Sequence, residues 1–197
     1  MRPPLRWHVR CSSPGVLATS GDLVEMRLRD DATEWKALVE RLEARRVLDI
    51  GSGLDDLPEE GEYDLIVAPN DPFAGILEDG ARAAAIAKVR GLLARDGLLV
   101  IEGLYVPPQE DAVASAPDGL VRKRRLADGS VEREVWAALG EHQYEIRTNG
   151  SSPVRVRAWH CGETALRESG ARIAGGLDER DFDPWGDRLI AVVPGWS

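Results

Sequence analysis

Arg46-Val47-Leu48-Asp49-Ile50-Gly51-Ser52-Gly53 decides how the rest of this chain is read. A short apolar run that meets two glycines reads as a buried strand entering a tight loop. Glycines at that point let the backbone approach a nucleotide-like ligand closely. Tyr63-Asp64-Leu65-Ile66-Val67-Ala68-Pro69 then opens a second buried strand, and only residues 54–63 separate Gly53 from Asp64. A nucleotide-binding α/β unit normally carries an acidic ribose-binding residue about 20 residues beyond its glycines, after a helix and a further strand. The interval has room for neither. The sequence announces a cofactor site and withholds half of it.

Working outward, Trp35, Leu38, Val39 and Leu42 fall at i, i+3, i+4 and i+7, the stripe of an amphipathic helix with Asp31 as its N-cap. Downstream, Asp79 or Gly80 begins a helix whose buried face is Ala81, Ala85, Ile86, Val89, Leu92 and Leu93. Arg95-Asp96-Gly97 ends it with a turn, and Leu98–Glu102 is a third apolar strand. Strand, helix, strand at this spacing is a βαβ unit and argues a parallel sheet.

The chain changes character after that. Residues 106–119 hold Pro107, Pro108 and Pro117 and read as a loop. Asp128-Gly129 predicts a hairpin between Val121–Leu126 and Val131–Ala137, with Gln143–Thr148 as a further strand and Asn149-Gly150 as a turn. Residues 158–170 read as a short helix ended by Gly170, after which Ala171–Ala174 and Leu189–Val193 close the sheet. Trp7, Val9 and Cys11, and then Val24, Met26 and Leu28, alternate with polar residues as weak strand signals. One domain over 1–197 is expected, with 1–45 as an N-terminal segment and helix and 106–150 as a loop and antiparallel hairpin insert.

A length of 197 residues suffices for one sizeable core. The net charge of −9 disfavours nonspecific binding to nucleic acid or to an anionic membrane. No run approaches the roughly 20 apolar residues of a membrane span, and the N-terminus lacks the apolar core of a secretory signal, so a cytoplasmic location is expected. Cys11 and Cys161 make no metal-type spacing. Reduced thiols are the default, with a disulfide between them left open. The three histidines and scattered acids form no recognisable metal cluster.

Residues 46–105 and 120–194 resemble the class I S-adenosylmethionine-dependent methyltransferases, particularly those acting on small molecules. Val47-Leu48-Asp49-Ile50-Gly51-Ser52-Gly53 looks like that family's first motif, and Tyr63–Asn70 looks like its fourth strand. Val89–Ile101 looks like its helix-turn-strand "LLxPGGxLV" segment, with Arg95-Asp96 in place of Pro-Gly. The resemblance implies an α/β, Rossmann-like sheet. The family order is 3-2-1-4-5-7-6, and the short interval after Gly53 deletes strands 2 and 3 together. A truncated sheet of order 1-4-5-7-6 is left, with an exposed edge on the strand at 47–50. Natural proteins cover such edges. The N-terminal segment, or a second chain, is expected to do so here.

The resemblance implies S-adenosylmethionine as cofactor, bound weakly or not at all because the adenosine-side strands are missing. Asp49, Gly51 and Gly53 are the cofactor-loop candidates; the alternative is a tight turn that binds nothing. Asp55 could replace the lost ribose acid together with Asp56, or both are solvated loop acids. Asn70, Asp71, Pro72 and Phe73 sit at the carboxyl end of a strand, where α/β sheets place ligands, and the resemblance implies that this position lies beside the methyl donor; the alternative is a turn with Phe73 packed inward. His142 and His160 are the general-base candidates, since His titrates near neutrality. Phe73, Tyr144 and Trp159 are the substrate-pocket candidates. Arg122-Lys123-Arg124-Arg125 either meets an anionic substrate or is a solvated strand of alternating charge. No Asn or Asp partner can be assigned to Cys161 to make it a nucleophile.

Three functions follow. The first is a non-catalytic or accessory subunit of a small-molecule, natural-product type methyltransferase. It would pair with a full-length methyltransferase or self-associate through the strand 47–50 edge. The second is a stand-alone methyltransferase that works by orientation and a base. The third is the same fold repurposed for another reaction or ligand.

Overall fold

The computed structural model describes residues 32–125, 129–185 and 188–195. Asp31, the alternating segments before it, Cys11 and Asp128 lie outside the described residues.

In chain order the elements are α1 (Ala32–Arg41), β1 (Val47–Asp49), β2 (Tyr63–Ala68), α2 (Asp79–Arg90), β3 (Leu93–Gly103) and α3 (Pro108–Ala114). They continue with β4 (Leu120–Arg125), β5 (Val131–Gly140), β6 (Gln143–Thr148), β7 (Val154–Arg157), α4 (Thr164–Glu168), β8 (Arg172–Ala174) and β9 (Leu189–Pro194).

The main sheet runs β1-β2-β3-β9-β8. The β1–β2 and β2–β3 pairs are parallel, whereas β9 is antiparallel to both β3 and β8. Its central strands are buried on both faces, which is why they read as unbroken apolar runs. Ile66, Ala68, Leu99 and Ile101 pack on one side with Ile86 and Val89 of α2 and Leu166 of α4. Leu65, Val67, Val100 and Ile190 pack on the other with Leu38 of α1 and with Leu177. The layers are therefore helix, sheet, helix.

Entry into β1 is fixed by a carboxylate. Asp64 Oδ2 accepts the backbone N–H groups of Arg45 and Arg46, each at 2.9 Å. Those bonds hold its pKa below the usual range. Five expectations need correction. Residues 106–119 are not all loop, because Pro108–Ala114 form α3 with Pro108 at its first position. Strand β1 is not buried: Val47 is 37% exposed and Asp49 is exposed too, because β1 is the outermost strand of the described sheet. Helix α2 ends at Arg90, and Leu93 already belongs to β3, which carries Arg95-Asp96-Gly97 within it. On α2 it is Arg82, not Ala81, that is buried with Ile86 and Val89. The insert is larger than a hairpin: β4-β5-β6-β7 form a second, four-stranded antiparallel sheet reaching Arg157.

Candidate functional site

Strands β1, β2 and β3 point their carboxyl ends at one edge of the sheet, where open α/β folds bind ligands. The loop after β1 is held by short-range turn bonds and by Ile50, which is buried and donates its N–H to the Val67 carbonyl at 2.9 Å. Asp49 Oδ1 accepts the Gly51 N–H at 2.8 Å, and Gly53 donates its N–H to the Ile50 carbonyl at 3.0 Å. A Cβ at Gly51 would lie 2.5 Å from Pro69 Cγ, so Gly51 lets this loop lie against the end of β2. Gly53 has φ +134°, a conformation reserved for glycine. Asp55 and Asp56 are exposed.

The loop after β2 is built differently. Asn70 and Asp71 both have positive φ, 60° and 47°, which Asn and Asp tolerate better than most residues. Asn70 is exposed, and its backbone N–H donates to Glu102 on β3. Asp71 is buried and turns inward. Its Oδ1 accepts the Phe73 N–H at 3.1 Å, and its Oδ2 accepts the Leu104 N–H and the Trp159 indole N–H, each at 2.8 Å. Burial outweighs these donors and the nearby Arg82, and pushes the carboxyl up to about 6.

Behind this loop stands an ionic core. Arg82 of α2 is fully buried and lies 3.1 Å from Glu163 Oε1, which is equally buried. Arg82 also donates to the Phe73 carbonyl and the Arg157 carbonyl, and its guanidinium stacks 4.2 Å over the Trp159 ring. Arg157 completes the group by pairing with Asp79 at the start of α2. One cation thereby ties together α2, the end of β7, the β2 loop and the approach to α4.

The candidate side chains divide into three places. Phe73 and Trp159 meet edge to face, with ring centroids 6.4 Å apart, and both belong to the main core. Tyr144 lies elsewhere, buried on the inner face of the insert sheet beside Trp136, with its hydroxyl 2.6 Å from Asp111 of α3. Burial and the Asp111 carboxylate raise its pKa. Nearby, Arg122 pairs with Glu110 and covers the Trp136 ring at 4.2 Å. His142 and His160 form the third place. Their rings stack at 4.5 Å, joining the β5–β6 turn to the segment before α4. Burial, then the adjacent His142, lowers the His160 pKa and favours its neutral form.

Arg82, Glu163 and Glu102 are not among the candidates the sequence offers, and Asp71 is one only as part of the strand-end segment 70–73. Glu102 stands at the end of β3, with its pKa raised by burial, and Arg188 Nε lies 2.9 Å from its Oε1. Arg188 also pairs with Glu34, so the start of α1 is fastened to the same edge. The one available signal was an arginine at the spacing of a buried helical stripe. No group of three or more His, Cys, Asp or Glu residues able to hold a metal exists among the described residues. None of the described helices is long and apolar enough to cross a membrane.

The loop Asp49–Gly53 and Asn70 lie at the carboxyl ends of β1 and β2, the positions that the family resemblance assigns to a methyl donor. For the adenosine end, the described sheet stops at β1, and residues 50–62 run to β2 without a helix or strand.

No protein-family model and no curated protein matches this chain. Solved structures do. The CcbJ methyltransferase of Streptomyces caelestis aligns over 85% of this chain and 90% of its own, at 17% identity and TM-score 0.62. The sugar N-methyltransferase KedS8 of Streptoalloteichus sp. ATCC 53650 aligns over 94% and 99%, at 16% identity and TM-score 0.58. CalS10, an amino pentose methyltransferase of Micromonospora echinaspora involved in calicheamicin biosynthesis and solved with S-adenosylmethionine bound, aligns over 85% and 94%, at 16% identity and TM-score 0.56. Likeness at such identities speaks to architecture, and the architecture it establishes is the class I fold of S-adenosylmethionine-dependent small-molecule methyltransferases.

Proposed function

We propose that this chain is a non-catalytic, accessory methyltransferase-fold protein that works beside a complete small-molecule methyltransferase. One observation carries the reading: residues 50–62 lead from β1 directly to β2, so no described strand flanks β1 on the adenosine side. A donor held only by its amino-acid end loses the ribose contact that the fold normally supplies. The wall on the other side is kept, with Asp71, Arg82 and Glu163 fixing the β2 loop against the insert. Among the described residues no strand pairs with the outer edge of β1, where Val47 and Asp49 are exposed, and a partner's strand, or that of a second copy, would add there. The neighbours named for a sugar and an amino pentose suggest an aminosugar as the partner's substrate.

The test is purification of the tagged chain from its native host. A methyltransferase co-eluting in stoichiometric amount supports the reading. A chain that elutes alone and by itself methylates an aminosugar sinks it.

One observation favours a stand-alone enzyme instead. The stacked His142–His160 pair holds His160 toward its neutral form, which is what a general base needs. In that reading Asp49, Gly51, Gly53, Asp55 and Asn70 hold the donor. Loss of turnover in both His142→Gln and His160→Gln, with the fold intact, is the result that would favour it.

A further inference from the structure

The four strands of the insert sheet treat charge differently on their two faces. On the inner face, Trp136, Tyr144 and Val156 are buried beneath α3, and Arg122 stands opposite Glu134 and pairs with Glu110. The outer face carries Lys123 and Arg125 of β4, Arg133 of β5, Arg147 of β6 and Arg155 of β7, all exposed. Glu145 is the one carboxylate on these strands that shares that face among the described residues; Arg147 lies 2.6 Å from it and Arg155 3.9 Å. Lys123 stands directly opposite Arg133 in the register. Like charges at that position cost stability. The same two strands, β4 and β5, match a cation with an acid inside and leave cations facing each other outside. Five cations less one carboxylate leave an excess of four positive charges, on a chain whose net charge is −9. Val131, 56% exposed, stands opposite Arg125 on the same face.

We propose that this outer face is a docking surface for an acidic patch on a partner protein. A small anion would need cations that converge, and these are spread over four strands about 5 Å apart. A nucleic acid would meet the repulsion of the chain's net negative charge. A second copy laid face to face would bring the same cations together. Its acidic loop laid on the face would instead be a heterologous contact, which closes only as a ring or runs on as a filament. A folded acidic surface fits the spaced cations and the apolar Val131 among them. The inference is independent of whether the protein binds a methyl donor.

The test measures fluorescence anisotropy of labelled polyglutamate with the full chain, at low and at physiological ionic strength. The K123E/R133E variant is compared with R95E, a control with an exposed cation outside the insert. K123Q/R133Q is the milder second variant, and circular dichroism checks the fold of each. Binding that weakens with salt, persists in R95E and falls roughly tenfold in both double variants is expected. Unchanged affinity in the double variants, or no binding at low ionic strength, would overturn the proposal. So would tighter binding of duplex DNA or of phosphatidylserine vesicles. Self-association at low salt that disappears in K123E/R133E would assign the face to a second copy instead. None of these readouts involves donor binding, so failure here leaves the accessory reading to its own test.

Discussion

The loops that follow β1 and β2 share one edge of the sheet and are built in opposite ways. The β1 loop rests on Asp49, whose side chain closes its own turn, and on two glycines; its acids Asp55 and Asp56 face solvent. The β2 loop is anchored by a buried carboxylate with three N–H donors and by a buried arginine that reaches two further carbonyls. A complete donor site needs both loops held in place. Here buried polar side chains secure the side next to the insert, whereas the β1 loop relies on its turn bonds and on Ile50, Leu54 and Leu57 packing on the core.

The contrast can be broken most forcefully at Arg82. Arg82→Met leaves the buried Glu163 carboxylate with only Arg157, 3.8 Å away, to balance it, and should cost about 3 kcal/mol in urea unfolding. Pairing it with Glu163→Leu should recover much of that loss. If the single variant costs as little as a surface change, the ionic core is not what fixes the β2 loop. Asp71→Ala comes next. It strands the N–H groups of Phe73, Leu104 and Trp159, for an expected loss of about 2–4 kcal/mol by thermal unfolding.

Asp71 also predicts a pH signature. Its pKa is raised to about 6 in the folded state from an ordinary value of 3.8. The folded protein therefore binds the proton more tightly, and this group's contribution to stability rises as pH falls from about 6 toward 3.8. Between pH 7 and pH 5 the wild type should gain about 1 kcal/mol relative to Asp71→Asn. A parallel pH dependence in the two proteins would mean that burial does not control this carboxyl. The smallest effects belong to the β1 loop. Gly53→Ala should cost about 1–2 kcal/mol through its positive φ. Asp55→Ala should change stability by less than about 0.5 kcal/mol.

These differences in construction also explain what the sequence discloses. Leu65–Ala68, Leu99–Ile101 and Leu189–Val193 are legible because burial on both faces writes an unbroken apolar run. Strand β7 was missed because Val154-Arg155-Val156-Arg157 is short and ends in an arginine that turns into the core. Arg82 shares the spacing of Ile86 and Val89 on α2, but nothing local names its partner Glu163, 81 residues away. Asp71 is legible only as part of the strand-end segment 70–73, since its donors Leu104 and Trp159 lie 33 and 88 residues further on. The glycine loop was legible as a turn. The physical cause of Gly51 is the Pro69 ring, which no reading of residues 46–53 alone could supply. Long-range polar partners carry no periodicity, so the candidate site was less visible than the fold.

The most direct test of the account is calorimetric titration of the purified chain with S-adenosylmethionine and with S-adenosylhomocysteine. An accessory protein with half a donor site predicts no saturable heat up to millimolar ligand. Micromolar binding to either compound would contradict it, because the adenosine side would then have to be held by groups outside the five described strands of the sheet.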